Sequence, residues 1–133
     1  MNRIALTLLL IFSLILSSCA GSVRGAVILP AESQIYSDED IAAAVGVIMD
    51  LFRSGWSGCT LKEIGYAGDE RTAAYRDWAL RNDADEVIVL LSSFHVGPTG
   101  GDGSLNPNDT YTGWMWILVR QNGGEWRHVD HGY

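Results

Sequence analysis

The chain has 133 residues, with sixteen Asp and Glu against nine Lys and Arg, and its formal net charge is −7 at pH 7. No basic stripe offsets this acidity, which argues against binding to nucleic acid or to anionic lipid headgroups. The length suits one compact domain around one core.

The first nineteen residues predict export and lipid attachment. Arg3 provides a positive start, and residues 4–16 are almost wholly apolar, as in a secretory signal. The following "LSSC", ending at Cys19, resembles the bacterial lipobox, in which a peptidase cuts before a cysteine that carries a diacylglyceryl group. We therefore predict a signal peptide over residues 1–18 and an extracytoplasmic protein anchored to the cell membrane through Cys19. An ordinary cleaved signal and an uncleaved anchor helix are the alternatives, and the apolar run is short for a hydrocarbon core of about 30 Å.

Cleavage would leave sixteen acidic residues against eight Lys and Arg, a formal charge of about −8. It would also leave Cys59 without an intrachain partner if Cys19 carries lipid, so the fold is predicted to stand without a disulfide. A small buried thiol at the start of a strand is the expected role of Cys59, and a reactive or intermolecular thiol is the alternative.

The mature chain divides into a tether and a domain. Residues 19–34 are small or weakly patterned and predict a tether that lifts the domain off the membrane, although residues 26–29, "AVIL", also suit a short edge strand. Residues 35–133 are predicted to form a single domain.

The first predicted helix lies in "YSDEDIAAAVGVIMDLFRSG". Ser37 is the expected N-cap, and the acidic residues that follow it complement the positive end of the helix dipole. Apolar residues at helical spacing form one face: Ile41, Ala44, Val45, Ile48, Leu51 and Phe52. After a predicted strand, "CTLKEIGY", Asp69 is the expected cap of a second helix that buries Ala74, Tyr75 and Trp78.

The C-terminal half predicts β-structure. "EVIVLLSSF" is typical of a strand covered on both faces. "TYTGWMWILVRQ" and "EWRHVDHGY" flank Asn122-Gly123-Gly124, which favours a tight hairpin turn. Two helices followed by an antiparallel sheet indicate the α+β class.

Much of this domain resembles a family of small secreted lipoproteins of clostridia and related Gram-positive bacteria, a domain of unknown function. The similarity rests on "GCTL", "DEVIVLLSSF", "GGDGSLNPNDTYT" and "WILVRQNGGEWRHVDHGY", and it covers roughly residues 35–133. The family ends in Asp-Trp-Gly-Tyr, whereas this chain has His131 in place of that Trp. The element order is similar to cone-shaped folds of the cystatin and nuclear-transport-factor-two-like kind, in which a curved sheet wraps a long helix.

A long loop between two strands is the first candidate site. A connection of about a dozen residues exceeds the usual hairpin length, and loops of that size are often functional. Residues 97–109 are therefore a candidate ligand or partner loop, with a string of local turns as the alternative. Its oxygen-rich members are Asp102, Ser104, Asn106, Asn108 and Asp109.

Calcium is one ligand that this loop invites, although it departs from the EF-hand pattern. Pro107 stands where that pattern needs Gly, and Gly113 stands where it needs a bidentate Glu. A calcium loop with a less regular ligand pattern is the alternative, and the sequence does not identify a metal.

Tryptophan supplies a second candidate site. Trp78 and Trp126 are expected in the core, where large rings contribute strongly to burial. Trp56, Trp114 and Trp116 are candidate surface aromatics, and exposed rings on so small a domain would mark a contact surface.

The "HVDH" stretch suggests a metal site formed by His128, Asp130 and His131. Strand alternation, however, places His128 and Asp130 on one face and His131 on the other, so the three could not converge without a bulge. An acid-base site is the further alternative, in which His95, Tyr66 or Tyr111 would meet Asp130 in a cavity.

Two hypotheses of different class follow. The leading one is a non-enzymatic, lipid-anchored domain without a cofactor that binds a protein or small-molecule partner through the sheet and the 97–109 loop. The competing one is a small cavity enzyme of a cone-shaped fold that uses His95 or His128 with Asp130. A filled cone with exposed Trp favours binding, and a closed cavity with an inward His and carboxylate favours the enzyme.

Overall fold

The computed structural model describes residues 20–133, so the predicted signal peptide and Cys19 lie outside the described residues. Within that range the chain forms five strands and three helices. In chain order they are β1 Val27–Ile28, α1 Asp38–Gly55, β2 Cys59–Tyr66, α2 Asp69–Ala74, α3 Asp77–Arg81, β3 Glu86–Val96, β4 Thr110–Arg120 and β5 Arg127–Gly132.

The strands form one open sheet in the order β1-β2-β3-β4-β5. β1 runs parallel to β2, and the other neighbours are antiparallel. The predicted α+β class is therefore confirmed. Within residues 20–133, none of the helices combines the length and the apolarity that crossing a bilayer requires.

The first helix forms as its sequence predicts. Ser37 caps α1 by accepting a hydrogen bond from the Asp40 N–H, and the Asp40 carboxylate accepts one from the Ser37 N–H in return. The buried residues of α1 are Ile41, Ala44, Val45, Ile48 and Phe52. This face packs against one side of the sheet, so α1 and the sheet share the larger of two apolar clusters.

The second predicted helix is interrupted and forms α2 and α3. Gly68 rather than Asp69 is the N-cap of α2, because the Asp69 carboxylate accepts hydrogen bonds from Ser33 Oγ, the Gln34 N–H and the Tyr66 hydroxyl. Ala74, which the sequence places in the core, is exposed.

The sheet is covered on both sides at its centre, as the unbroken apolar run of β3 predicts. Ile88 and Leu90 face α1, whereas Val87 and Val89 belong to a second cluster on the opposite side. Ala79 of α3 is buried in that second cluster, with the side chains of Tyr75 and Trp78 packed against it.

The residues before the first helix are docked on the domain. The Gly21 N–H donates to Arg53 O over 3.0 Å, the Ser22 N–H donates to Cys59 O over 2.9 Å, and Ser22 O accepts from the Leu61 N–H over 2.8 Å. Farther along, β1 pairs with β2. This corrects the prediction of a tether over residues 19–34, because main-chain pairing with β2 and α1 holds the described part of that segment on the fold.

The last hairpin turns at the predicted site. Asn122 and Gly123 have φ of 54° and 65°, the left-handed conformation that two-residue turns between twisted strands need. The Gly124 N–H donates to Gln121 O over 3.0 Å. The turn therefore places β5 on the outer edge of the sheet, beside the Trp-rich β4.

Candidate functional site

A cleft of about 300 Å³ opens where three separate segments meet. One wall is the connection between α1 and β2, with Trp56 and Ser57, together with Cys59 at the start of β2. The second wall is the part of the long loop around residues 101–105, and the third consists of Trp114 on β4 and His131 on β5. This volume lies at the lower end of the range for ligand sites, so the cleft suits a small molecule.

Trp56 lies at the centre of an aromatic cluster that backs the cleft. Its ring centroid is 5.6 Å from that of Phe52, with the rings stacked, and 5.8 Å from that of Trp114, edge to face. The His131 ring lies 5.4 Å away, also edge to face. Each contact belongs to the favourable geometries of aromatic pairs, so the rings hold one another in fixed orientations.

The three candidate surface tryptophans have different environments. Trp56 and Trp114 are half-buried and line the cleft. Trp116 is 0% exposed, and its Nε1–H donates to Ser92 Oγ over 2.8 Å, which corrects its assignment to the surface. β4 alternates between two covered faces, and Trp116 points towards α1. Trp126 is buried as expected, at 5% exposure.

Trp114 carries an additional feature. Its Nε1–H is buried and has no hydrogen-bond partner among residues 20–133. An unpaired buried donor costs roughly 1–3 kcal/mol, and such groups call for a structural or functional reason. The unpaired donor thus belongs to a residue that lines the cleft.

The long loop is ordered by its own main chain. The Gly100 N–H and the Asn108 N–H both donate to Gly97 O, and the Leu105 N–H donates to Gly100 O. The loop is joined to the α1–β2 connection by a bond of 2.9 Å from the Gly97 N–H to Gly58 O. The alternative of a string of local turns is therefore correct for the backbone, and the same turns carry residues 101–105 to the cleft.

The five candidate loop residues divide into two groups. Asp102 and Ser104 line the cleft. Asn106, Asn108 and Asp109 do not line it: Asn106 Nδ2 lies 3.5 Å from Asp109 Oδ2, and Asp109 Oδ1 accepts from the Thr110 N–H. Asn108 adopts a φ of 59° within the turn. The second group shapes the loop, and the first faces the cleft.

Asp102 is held by its neighbour. Its Oδ1 accepts from the Ser104 N–H over 2.9 Å and from the Ser104 hydroxyl over 2.5 Å. These hydrogen bonds lower the pKa of Asp102 below its ordinary value, because they favour the ionised form. The carboxylate is therefore charged at neutral pH.

Cys59 is buried, at 2% exposure, as the sequence predicts. Burial raises the pKa of its thiol, and the nearby Asp102 carboxylate adds to that effect. A thiol with a raised pKa carries little thiolate at neutral pH, which argues against the alternative of a reactive cysteine.

The two histidines of "HVDH" lie on one face of β5, whereas strand alternation predicted opposite faces. A bulge lies opposite the Ile117–Leu118 step of β4, because Ile117 pairs with Asp130 whereas Leu118 pairs with His128. His131 therefore falls on the same side as His128, with His131 Nδ1 3.2 Å from His128 Nε2. Within residues 20–133, no group of three or more His, Cys, Asp or Glu side chains is placed to hold a metal ion.

The residues of the cavity-enzyme hypothesis are dispersed. His95 Nδ1 lies 3.0 Å from Thr110 Oγ1, and the Tyr66 hydroxyl donates to Asp69. The Tyr111 hydroxyl accepts from the Asn106 N–H, and Asp130 is exposed on the edge strand. None of these four side chains lines the cleft, and neither does His128, which interacts with Asp130.

Sequence reasoning identified four of the lining residues and missed the contributions of Cys59 and His131. One signal for the site was present in the sequence as two glycines, one in the α1–β2 connection and one in the long loop. Gly58 and Gly101 have φ of 73° and 68°, and a Cβ on Gly58 would lie 3.6 Å from the Gly101 Cα. A Cβ on Gly101 would lie 3.4 Å from Cys59 Sγ. These glycines permit the close approach of two backbones that forms the cleft.

Comparisons with known proteins add no relative, because the chain matches no family model, no curated protein and no solved structure. The family resemblance noted in the sequence therefore stays a prediction.

Proposed function

We propose that this protein is a lipid-anchored extracytoplasmic domain that binds a small ligand in the cleft between the long loop and the aromatic cluster. The observation that carries the proposal is the meeting of Trp56, Trp114 and Asp102 around one cavity of about 300 Å³. Apolar walls with a few fixed polar groups are the usual composition of a ligand site. The side chains of His95, His128 and Asp130 do not line this cleft, which favours binding over catalysis by those residues.

The lipid anchor would hold this cleft close to the membrane. Cys19 lies two positions before Gly21, a reach of about 7 Å for an extended chain. Gly21 is fixed to the C-terminal end of α1, where a Cβ would lie 2.2 Å from Phe52 O and 2.7 Å from Trp56 O. With a lipid on Cys19, the cleft wall formed by Trp56 would thus be close to the attachment point, and the anchored domain would sit against the bilayer.

We also propose the family and the cone-shaped architecture that the sequence resembles. The support for the cone is the packing of α1 along one side of the sheet, with Ile48 and Phe52 in the cluster that they share. The sheet also has a second apolar face, on the side opposite α1, which Ala79 and its neighbours cover. A cone in which the sheet wraps one helix does not include this second layer.

The proposed function is tested by mapping the binding of a neutral probe, 2-phenylethanol, by amide chemical shifts of the full chain in nonionic detergent. Shifts centred on residues 55–59 and 101–105 are expected. Leu105→Trp, which fills the cleft without changing charge, should abolish them. Leu80→Trp is the matched control, because Leu80 is 82% exposed on α3, on the other side of the sheet. Binding that survives Leu105→Trp would place the ligand elsewhere.

A further inference from the structure

The charge of the cleft is one-sided. Among the described residues that line it, Asp102 is the only carboxylate, and Lys and Arg are absent. An anionic ligand would therefore meet an ionised carboxylate, with His131 but no Lys or Arg side chain in the lining to pair with it. The aromatic walls add a further preference, since the face of an indole ring carries negative electrostatic potential.

We propose that the cleft binds a small organic cation, an ammonium group carried on an apolar body, with the charge at Asp102 and the body against Trp56 and Trp114. The inference rests on the proposed function and names its class of ligand. An ammonium within about 6 Å of an indole face is attracted to it, and a charge-assisted hydrogen bond to a carboxylate is stronger than a neutral one.

The carboxylate is prepared for this role by the loop. Two hydrogen bonds from Ser104 fix Asp102 in one orientation, and the turn around Gly100 and Gly103 supports that segment. A cation can therefore pair with a preorganised group, which lowers the entropy cost of binding. The net charge of the mature chain, about −8, would also raise the local concentration of cations near the surface.

Two sources can supply this chemistry. One is a free amine, and the other is the ammonium of a membrane lipid headgroup, which the membrane-proximal position of the cleft would bring within reach. Phenethylamine represents the first source, and glycerophosphoethanolamine represents the second. Tighter binding of either one identifies the source and supports the shared ammonium chemistry.

The test compares three probes that share one phenylethyl group, by titration calorimetry with the full chain in nonionic detergent. Phenethylamine is the cation, 2-phenylethanol is the neutral analogue, and 3-phenylpropionate is the anion. Phenethylamine should bind about tenfold more tightly than 2-phenylethanol, a difference near 1.4 kcal/mol. The anion should bind most weakly of the three.

Asp102→Asn is the decisive variant. Its amide oxygen can still accept both bonds from Ser104, so the loop should keep its shape while the charge is lost. The affinity for phenethylamine should fall about tenfold, and the affinity for 2-phenylethanol should fall less, because that probe loses no charge-assisted contact. Asp109→Asn is the matched control, because Asp109 belongs to the same loop and does not line the cleft.

The outcomes separate the two proposals. Equal affinities for phenethylamine and 2-phenylethanol, or an unchanged phenethylamine affinity in Asp102→Asn, would overturn the cation inference while the cleft remained a binding site. If neither phenethylamine nor 2-phenylethanol bound at millimolar concentration, and glycerophosphoethanolamine also failed, both the inference and the proposed function would be wrong.

Discussion

His131 and His128 lie side by side on β5, with His131 Nδ1 3.2 Å from His128 Nε2 and the ring centroids 5.2 Å apart. A hydrogen bond between two imidazoles needs one ring nitrogen to accept, so the pair cannot keep this bond when both rings are protonated. The bulge in β5 creates this relationship beside the aromatic cluster, because Trp116 also contacts both histidine rings.

The histidine pair predicts a pH dependence of stability. Burial, together with repulsion from His131, lowers the pKa of His128 below its ordinary value of 6.5, and the backbone and carboxylate of Asp130 oppose this more weakly. The unfolded chain therefore binds a proton at this position more readily than the folded protein does. Stability from this group is complete above pH 6.5 and should fall as the pH drops through the lower folded pKa.

The measurement is the free energy of unfolding by denaturant between pH 8 and pH 5. His128→Gln should flatten the loss of stability across this interval, whereas His95→Gln, which removes a ring that contacts Thr110, should not. An unchanged slope in His128→Gln would show that other groups control the acid sensitivity.

A second prediction concerns Arg120, which joins α1 to the sheet. Its guanidinium donates to Glu86 from Nε over 2.7 Å and to Asp40 over 2.8 Å, and it lies 4.3 Å from the centre of the Trp126 ring. The Arg120 side chain is 11% exposed. Arg120→Met should lower the free energy of unfolding by about 2 kcal/mol, because two carboxylates lose a shared partner.

The control for Arg120 is Arg53→Met. Arg53 pairs with Asp50 on the exposed side of α1, with 51% and 80% of the two side chains exposed. Such a surface pair should contribute less than about 1 kcal/mol. Equal effects of the two variants in chemical denaturation would contradict the special role of Arg120.

A third prediction separates two glycines of the long loop. Gly100 has a φ of 73°, and a Cβ there would lie 2.5 Å from Leu105 O, whereas Gly103 has a φ of 101° and open space around its Cβ position. Gly100→Ala should therefore lower the melting temperature and weaken 2-phenylethanol binding. Gly103→Ala should lower the free energy of unfolding only by the cost of the backbone strain, roughly 1–2 kcal/mol. Equal losses in the two variants would show that the close approach to Leu105 is unimportant.

A fourth prediction concerns where the folded domain begins. A chain that starts at residue 35 loses β1 and the hydrogen bonds of Gly21, Ser22 and Ser33. At about 1 kcal/mol for each of the four bonds that these three residues make with Arg53, Cys59, Leu61 and Asp69, the loss should amount to at least about 4 kcal/mol relative to a chain that starts at residue 20. Thermal and urea unfolding of the two chains test this, and equal stability would restore the interpretation of residues 19–34 as a tether.

A fifth prediction concerns the lipid. The mature protein should begin at Cys19, and its mass should include a diacylglyceryl group. Incorporation of labelled fatty acid should be lost in Cys19→Ser and retained in Cys59→Ser, which removes the other cysteine of the chain. Label that persists in Cys19→Ser would rule out lipidation at this position.

Local sequence patterns were sufficient for several elements. Ser37 and the apolar spacing after it predicted α1 with its buried face, since a cap and a helical period involve residues within a few positions of one another. The turn at Asn122-Gly123 was predicted for the same reason. The burial of Cys59 and the two-sided burial of β3 followed from residue type and from an unbroken apolar run.

The candidate site was only partly predictable. Asp102, Ser104, Trp56 and Trp114 were identified as candidates from their residue types, but the sequence did not show that they share one cavity with His131. Their meeting depends on the docking of the long loop against Gly58 and on the order of strands in the sheet. Both are contacts between residues far apart in the chain, which no local period encodes.

Composition and neighbouring residues were enough to predict the acidic charge, the α+β order of elements, the cap at Ser37 and the turn at Asn122-Gly123. Contacts between residues far apart in the chain hold residues 21–33 on the domain, bury Trp116 and bring His131 beside His128. Strand pairing and the one-residue bulge in β5 select the face on which each side chain lies. A shift of one residue along a strand reverses that face without changing the local sequence pattern.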